Sequence, residues 1–207
     1  MIKLVIFDLW DTLAYKNTKY GGTRHILRLT HSKIPREKFV KIFERSVQTK
    51  KWKSKYAAYT NLCKNMGLPA TRANIELLIK TRDYAEIRIK LFKHTISMLK
   101  KLRAQGYKIG LISNTSIFSV RQLEKKTKLS RYIDYPLFSF IAKAVKPDPI
   151  IFKKMLRIAK VKPKEAIMIG DTLGDDVIPP RKLGINAIHF KNYKQLKREF
   201  LRYGIKF

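Results

Sequence analysis

The sequence predicts an α/β protein built around a parallel sheet of about five strands with helices on both faces. Short apolar runs recur along the chain without alternation between apolar and polar residues, as is typical of strands that are buried on both faces. Segments with apolar residues at helical spacing separate these runs, and this strand–helix alternation favours a Rossmann-like arrangement. Residues 14–93 interrupt the alternation, so we expect them to form a small all-helical domain.

The first two strands flank this interruption. Residues 3–7 form an apolar run that ends at Asp8, and residues 108–112 form a second run just after Gly106. The segment 94–105 carries apolar residues at helical spacing and is followed by that glycine, which predicts a helix that ends there.

The remaining elements continue the alternation. A helix over 117–129 leads to a strand over 137–141. Asp148 and Pro149 are suited to the N-cap and first turn of a helix, so we expect one to begin there. The last predicted elements are a strand, a short helix whose early turns are distorted or shifted by two prolines, and a final strand, over residues 166–170, 175–183 and 185–190.

Residues 14–93 show helical periodicity and no convincing strand. A short helix is expected over 22–31, and longer stripes of apolar residues at helical spacing follow it. These stripes start, in chain order, at Phe39, Trp52 and Ile75. We therefore divide the chain into a core domain and a helical cap domain, with the boundaries 1–13 and 94–207 for the core and 14–93 for the cap.

The composition argues against a membrane-spanning or disulfide-bonded protein. The chain has 207 residues, 45% of them hydrophobic, and no apolar run near the ~20 residues that span a bilayer, so we expect a globular protein without a membrane segment. Its one cysteine, Cys63, allows no internal disulfide, which fits a cytoplasmic protein. The net charge of +31 is spread along the chain and predicts attraction of polyanions, including non-specific nucleic-acid binding. A lysine-rich solvated surface is the simpler interpretation.

Polar side chains stand where the predicted strands end. Asp8 follows the first strand, and Asp171 follows the fourth. Ser113 and Asn114 follow the second strand, and Lys146 precedes the helix after the third. Because parallel strands end at the same edge of a sheet, we expect these side chains to lie together. Carboxylates placed this close repel each other unless a divalent cation lies between them, and all-oxygen ligands favour Mg²⁺.

Four motifs at this edge occur in the order and spacing of a known family. They are FDLWDTL (7–13), LISNTS (111–116), KPDPIIF (146–152) and IGDTLGDDV (169–177). With these motifs the sequence resembles the haloacid dehalogenase superfamily of hydrolases, in the group whose helical cap is inserted after the first strand. The resemblance covers nearly the whole chain. It implies a Mg²⁺-dependent phosphohydrolase that acts on a small phosphomonoester through an aspartyl-phosphate.

The resemblance also implies the nucleophile and the metal ligands. Asp8 is the nucleophile, and its carboxylate binds the metal together with the main-chain carbonyl of Trp10 and the carboxylate of Asp171. Asp175 and Asp176 both match the second acid of the last motif, at different spacings. We favour Asp176.

Further residues are implied to act on the phosphoryl group. Ser113 matches the phosphate-binding hydroxyl, and Lys146 matches the lysine that stabilises the charge of the transferred group. Thr12 and Asn114 are expected to assist the transferred group and the loop geometry.

Trp10 departs from the family pattern. Phosphatases of the family usually have an aspartate two residues after the nucleophile, which protonates the leaving oxygen and then activates water. The indole of Trp10 offers only an N–H donor and can do neither. Either Asp11 or a cap residue replaces this acid, or the substrate has a good leaving group. Asp11 also has a simpler interpretation, in which it only caps the turn.

Two further interpretations of Trp10 remain open. In the first, the protein is similar to the 2-haloacid dehalogenases, which have an aromatic residue at this position and use no metal. Alternatively, catalysis is weakened and the fold binds nucleic acid. The pair Gly170–Asp171 and the acids that follow it favour Mg²⁺ and phosphate over dehalogenation.

Overall fold

A parallel sheet lies at the centre of the protein, whose computed structural model describes residues 1–20 and 22–206. The strands of the described residues are β1 (Leu4–Phe7), β2 (Ala14–Lys16), β3 (Ile89–Leu91), β4 (Lys108–Ser113), β5 (Tyr135–Phe138), β6 (Ala166–Gly170) and β7 (Asn186–His189). Five of them form the sheet in the order β5-β4-β1-β6-β7, and every neighbouring pair is parallel. The predicted fold class is confirmed.

Helices cover this sheet and fill the segment between β2 and β3. In chain order they are α1 (Thr23–Leu29), α2 (Arg36–Val47), α3 (Lys55–Met66), α4 (Arg72–Glu86), α5 (Thr95–Ala104), α6 (Ile117–Thr127), α7 (Ser139–Ala142), α8 (Pro149–Ala159), α9 (Ile178–Lys182) and α10 (Tyr193–Arg202). In the part of the chain that the structure describes, no helix combines the length and apolar character needed to cross a membrane.

Both faces of the sheet are buried, which explains why its strands lack polar alternation. On one face Phe7 belongs to an apolar cluster with Leu99 of α5 and Phe200 of α10. On the other face Ile6 belongs to a second cluster with Phe152 of α8. Successive residues of β1 therefore point into two different apolar layers.

The N-terminus of α8 is formed as the sequence predicts. The helix begins at Pro149, whose missing N–H costs nothing in the first turn. The Asp148 side chain accepts a hydrogen bond from the backbone N–H of Ile150 at 2.8 Å and so caps the helix. This cap fixes the direction of the chain just after Lys146.

The expectation that residues 14–93 contain no strand is wrong. β2 and β3 pair antiparallel, with Ala14 opposite Leu91 and Lys16 opposite Ile89. Each strand has only three residues, and the partners are separated in sequence by the whole helical segment. Local periodicity cannot detect such a pair because its evidence lies in the long-range contact. The two strands connect the central sheet to the helical segment that lies between them in sequence.

Other element boundaries also differ from the expectations. The strand expected over 137–141 ends at Phe138, because Ser139 starts α7 and its hydroxyl is hydrogen-bonded to Gln48 O at 2.7 Å. The helix expected over 175–183 is a turn of π-helix over Leu173–Val177 followed by α9. The C-terminal helix α10 was not predicted.

The helices α1 to α4 have an apolar cluster of their own. Phe39 and Val47 of α2 pack there with Leu62 of α3 and Ile75 of α4. Phe118 of α6 belongs to the same cluster and links it to the rest of the protein. The division of the chain into a core domain and a cap domain stays a prediction.

Candidate active site

Three carboxylates meet at the C-terminal edge of the sheet. Asp8 directly follows β1, Asp171 directly follows β6, and Asp176 lies in the π-helical turn after β6. One oxygen atom of each lies within 4.8 Å of the others. Because β1 and β6 are neighbours in the sheet, their ends bring Asp8 and Asp171 side by side.

Lys146 lies between two of these carboxylates. Its Nζ donates to Oδ1 of Asp8 at 2.6 Å and to Oδ1 of Asp176 at 2.5 Å. All three side chains are buried, with Lys146 only 4% exposed. Although burial lowers the pKa of Lys146, the two carboxylates raise it above its usual range, so the side chain is a permanent ammonium.

The surplus of negative charge makes the cluster a fit for a divalent cation. Burial raises the pKa of Asp8, the Lys146 ammonium opposes this rise, and the carboxylate of Asp176 adds to it. Burial and Asp176 likewise raise the pKa of Asp171. One ammonium does not neutralise three carboxylates, and one oxygen of each lies within 4.8 Å of the others. A set of hard oxygen donors of this kind suits Mg²⁺.

The position of Asp176 depends on two of its neighbours. Its Oδ2 accepts a hydrogen bond from the backbone N–H of Thr172 at 3.1 Å. A Cβ atom at Gly170 would lie 2.3 Å from Cγ of Asp176, so only glycine leaves room for this carboxylate. Its place beside Asp171 in the last motif was the signal for Gly170, whereas nothing in the sequence singled out Thr172.

The backbone of Asp171 is held from the neighbouring strand. Nε2 of His189, at the end of β7, is hydrogen-bonded to the carbonyl oxygen of Asp171 at 2.8 Å. The carbonyl can only accept, so the ring donates and its tautomer has the proton on Nε2. No pattern of histidines in the sequence indicates a role for His189.

Asn114 connects the edge of the sheet to helix α2. Its Oδ1 accepts from the backbone N–H of Lys146 at 2.8 Å, and its Nδ2 donates to Lys146 O at 3.1 Å. The same Nδ2 donates to Oε1 of Glu44 at 3.0 Å. Glu44 was missed in the sequence, where it is one polar residue beside an apolar stripe, because only the packing of α2 brings it to this edge.

Ser113 and Thr12 are buried and do not line the cavity beside Asp8. Among the described residues, neither Oγ of Ser113 nor Oγ1 of Thr12 has a hydrogen-bond partner. A buried hydroxyl without a partner is costly, and the described residues leave both of these hydroxyls unsatisfied.

Trp10 and Asp11 form part of the cavity wall beside Asp8. The Trp10 ring packs against the core cluster, and Nζ of Lys16 lies 4.7 Å from the ring centroid. Asp11 is exposed, has a positive φ of 58°, and donates its backbone N–H to Ala14 O at 2.7 Å. The backbone of Asp11 thus forms the turn between β1 and β2.

Asp175 lines the same cavity but lies outside the cluster of three carboxylates. It is half-buried, and burial raises its pKa while the Lys146 ammonium opposes the rise. Of the two acids that match the last motif, Asp176 is the one that the fold brings to Asp8.

Two cavities adjoin at this edge. The smaller, of about 150 Å³, contains Asp8 and the acidic cluster. The larger, of about 680 Å³, extends along α2, and three basic side chains of that helix lie in its wall. These are Arg36, Lys41 and Arg45. Four residues line both cavities and mark where they join: Glu44, Lys146, Thr172 and Asp175.

Comparison with known proteins gives matches along most of the chain. The family model described as haloacid dehalogenase-like hydrolase matches residues 5–190. Over 110 residues the chain is 34% identical to a Pyrococcus furiosus protein named glyceraldehyde 3-phosphate phosphatase, which covers 51% of this chain but only 45% of that protein. A protein of the same name from Pyrococcus abyssi is 26% identical over 197 residues, or 92% of this chain and 82% of that protein.

A solved structure shares the fold. It is a HAD family enzyme from Bacteroides thetaiotaomicron in complex with magnesium and inorganic phosphate. The TM-score is 0.70 at 20% sequence identity, and the match covers 95% of this chain and 99% of that one. A likeness at this level of identity concerns the fold alone.

Proposed function

The chain belongs to the haloacid dehalogenase-like hydrolase family, and on that premise we propose that it is a Mg²⁺-dependent phosphohydrolase that transfers the phosphoryl group of a small phosphomonoester to Asp8 and then to water. The observation that carries the proposal is the meeting of three carboxylates and the Lys146 ammonium at the C-terminal edge of the sheet. The names of the Pyrococcus relatives, both phosphatases, support it.

The reaction has two displacement steps at phosphorus. The carboxylate of Asp8 attacks first, the bond from phosphorus to the leaving oxygen breaks, and that oxygen takes up a proton. A water molecule then attacks the same phosphorus, loses a proton, and releases inorganic phosphate with Asp8 restored. Lys146, whose Nζ lies 2.6 Å from Asp8 Oδ1, is placed to share the negative charge in both steps.

We propose that the carboxylates of Asp8, Asp171 and Asp176 hold the Mg²⁺ ion together with the main-chain carbonyl of Trp10. When bound, the ion supplies positive charge next to the phosphoryl oxygens. Asp176 is preferred to Asp175 because only Asp176 belongs to the convergent cluster.

The hydroxyls of Ser113 and Thr12 are proposed to donate to the phosphoryl oxygens, since neither has a partner within the described residues. Asn114 acts differently. Its amide is hydrogen-bonded to Lys146 and Glu44, so its part in substrate binding is to hold these two residues in place.

The helical segment 14–93 is proposed to act as a cap over the site. It supplies one wall of the larger cavity through α2, while the core supplies Lys146 and Asp175 on the other side. On the α2 wall the basic side chains of Arg36, Lys41 and Arg45 outnumber the acidic side chains of Glu37 and Glu44, which favours a leaving group that is itself anionic. Closure of such a cap excludes water from the reacting phosphoryl group.

Removal of divalent cations is expected to abolish hydrolysis of p-nitrophenyl phosphate, and added Mg²⁺ is expected to restore it. The reason is that Asp8 and its neighbours repel one another without a cation and cannot hold an anionic substrate. Steady-state rates in EDTA, followed by titration with Mg²⁺, measure this. Asp171→Asn is expected to raise the Mg²⁺ concentration needed for half-maximal rate by at least ~10–100-fold, because altering even an outer-shell partner of a metal ligand has an effect of that size.

The same samples test the dehalogenase alternative, which Trp10 favours. A metal-independent release of halide from a 2-haloacid, unaffected by EDTA, would contradict the phosphohydrolase proposal. We expect no halide release, because the acidic cluster has a cation-binding arrangement that such chemistry does not use.

A further inference from the structure

The reaction needs a proton donor for the leaving oxygen, and Trp10 cannot supply one. The side chain in question must face Asp8 and must also reach the place where the leaving group lies. Among carboxyl groups outside the cluster of three carboxylates, Glu44 and Asp175 line both the cavity beside Asp8 and the larger cavity along α2. Asp11 lines only the smaller one.

We propose that Glu44 of helix α2 is the general acid and base of this enzyme, protonating the leaving oxygen in the first step and taking a proton from the attacking water in the second. The proposal rests on the phosphohydrolase function proposed above. The proton balance closes, since the proton that Glu44 gives to the leaving oxygen is replaced by the one it takes from water.

The hydrogen bonds around Glu44 support this role. Asn114 Nδ2 donates to Oε1 of Glu44, and Asn114 is itself anchored on the backbone of Lys146 at both its amide atoms. Lys146 in turn is bonded to Asp8. Two residues, Asn114 and Lys146, therefore connect the Glu44 carboxyl to the nucleophile. Because Oε1 of Glu44 is engaged as an acceptor, Oε2 is the oxygen that carries the transferable proton.

The surroundings of Glu44 suit a group that exchanges a proton near neutral pH. Burial raises its pKa to about 7, the hydrogen bond from Asn114 opposes this, and the carboxylate of Asp175 adds to the rise. The ammonium groups of Lys146 and of Lys41, on its own helix, lower the pKa. A catalytic acid works best when its pKa is close to the operating pH.

Because Glu44 belongs to the helical cap, it is present only when α2 lies against the edge of the sheet. Closure of the cap would then bring the general acid to the other catalytic residues as well as exclude water. In this arrangement Trp10 lines the cavity beside the nucleophile, and the acid is supplied to the same cavity by α2.

The test compares two substrates in Glu44→Gln, which retains an oxygen for Asn114 but cannot transfer a proton. For a simple alkyl phosphomonoester, whose leaving oxygen needs a proton, kcat/KM is expected to fall by ~10²–10⁴-fold. For p-nitrophenyl phosphate, whose leaving group is stable as an anion, kcat/KM is expected to fall by less than about threefold. The decrease of wild-type kcat/KM for the alkyl substrate as pH rises above about 7, where Glu44 loses its proton, is expected to be absent in the variant.

Glu76→Gln is the matched control. Glu76 lies on α4, is paired with the exposed Arg72, and lines neither cavity, so both substrates should react as with the wild type. An equal loss on both substrates in Glu44→Gln, or no loss on either, would overturn the proposal, as would a selective loss in Asp175→Asn instead. If any of these results is found while the wild type hydrolyses p-nitrophenyl phosphate, the role of Glu44 is overturned but the proposed function remains intact. A wild type inactive on both substrates would overturn the function itself.

Discussion

Asp8→Asn is expected to lower the rate of phosphomonoester hydrolysis by at least ~10⁴-fold, the order of loss seen when an enzyme loses its nucleophile. An amide oxygen is a far weaker nucleophile than a carboxylate, and asparagine also removes one of the three converging carboxylates. Steady-state hydrolysis of p-nitrophenyl phosphate with saturating Mg²⁺ measures the loss. This substrate has a good leaving group, so the result does not depend on which residue supplies the proton.

The matched control for this change is Asp83→Asn. Asp83 lies on α4, pairs with Lys55, and lines neither cavity, so the same chemical change there should leave the rate within about twofold of the wild type. Circular dichroism of both variants verifies that they are folded. Turnover by a folded Asp8→Asn variant at a tenth of the wild-type rate or more would contradict the role of Asp8.

Lys146→Met is expected to destabilise the protein when no divalent cation is bound. The variant leaves the buried carboxylates of Asp8 and Asp176 facing each other without the ammonium that lies between them. Removing one partner from a buried ion pair costs about 3–5 kcal/mol in the free energy of unfolding. Urea unfolding in EDTA measures this loss. Added Mg²⁺ is expected to restore part of the stability, because a cation that binds only the folded state stabilises it.

Lys3→Met provides the comparison. Lys3 pairs with Glu165 at 2.6 Å, the same distance as in the pair of Lys146 with Asp8, but its side chain is 62% exposed. An exposed pair contributes ~1 kcal/mol or less, so its loss should be small and independent of Mg²⁺. Equal losses for the two variants in EDTA, or a Lys146→Met variant that Mg²⁺ does not stabilise, would contradict the electrostatic account of the cluster.

The parts of the fold that the sequence predicted are those that local patterns determine. The strands of the sheet are apolar on both faces, and their polar ends lie inside motifs, so the meeting of Asp8, Asp171 and Lys146 follows once the strands are known to be parallel. The pair of β2 and β3 could not be predicted this way, because each strand has three residues and their partners are far apart in sequence.

The residues that α2 contributes to the site could not be predicted either, because their partners are also far away in sequence. Glu44 resembles any polar residue beside an apolar stripe, and its contact with Asn114 depends on how α2 packs against the sheet. The net charge of +31 likewise does not show where on the protein an anion binds. It predicts attraction of anions in general, and binding of nucleic acid stays a prediction. The basic residues of α2, by contrast, have a defined position in the cavity that adjoins the one beside Asp8.

The most direct test of the account is to find the phosphoryl group on the protein during turnover. A rapid acid quench, followed by mass spectrometry of the peptides, locates it. With p-nitrophenyl phosphate as the substrate, we expect one phosphoryl group on the carboxylate of Asp8 in the wild type and none in Asp8→Asn. We expect a greater amount in Glu44→Gln, because this substrate needs no proton donor in the first step while the attack of water in the second is slowed. Steady turnover without a phosphoryl group on the protein, or with one on another residue, would contradict the claim that Asp8 is the nucleophile.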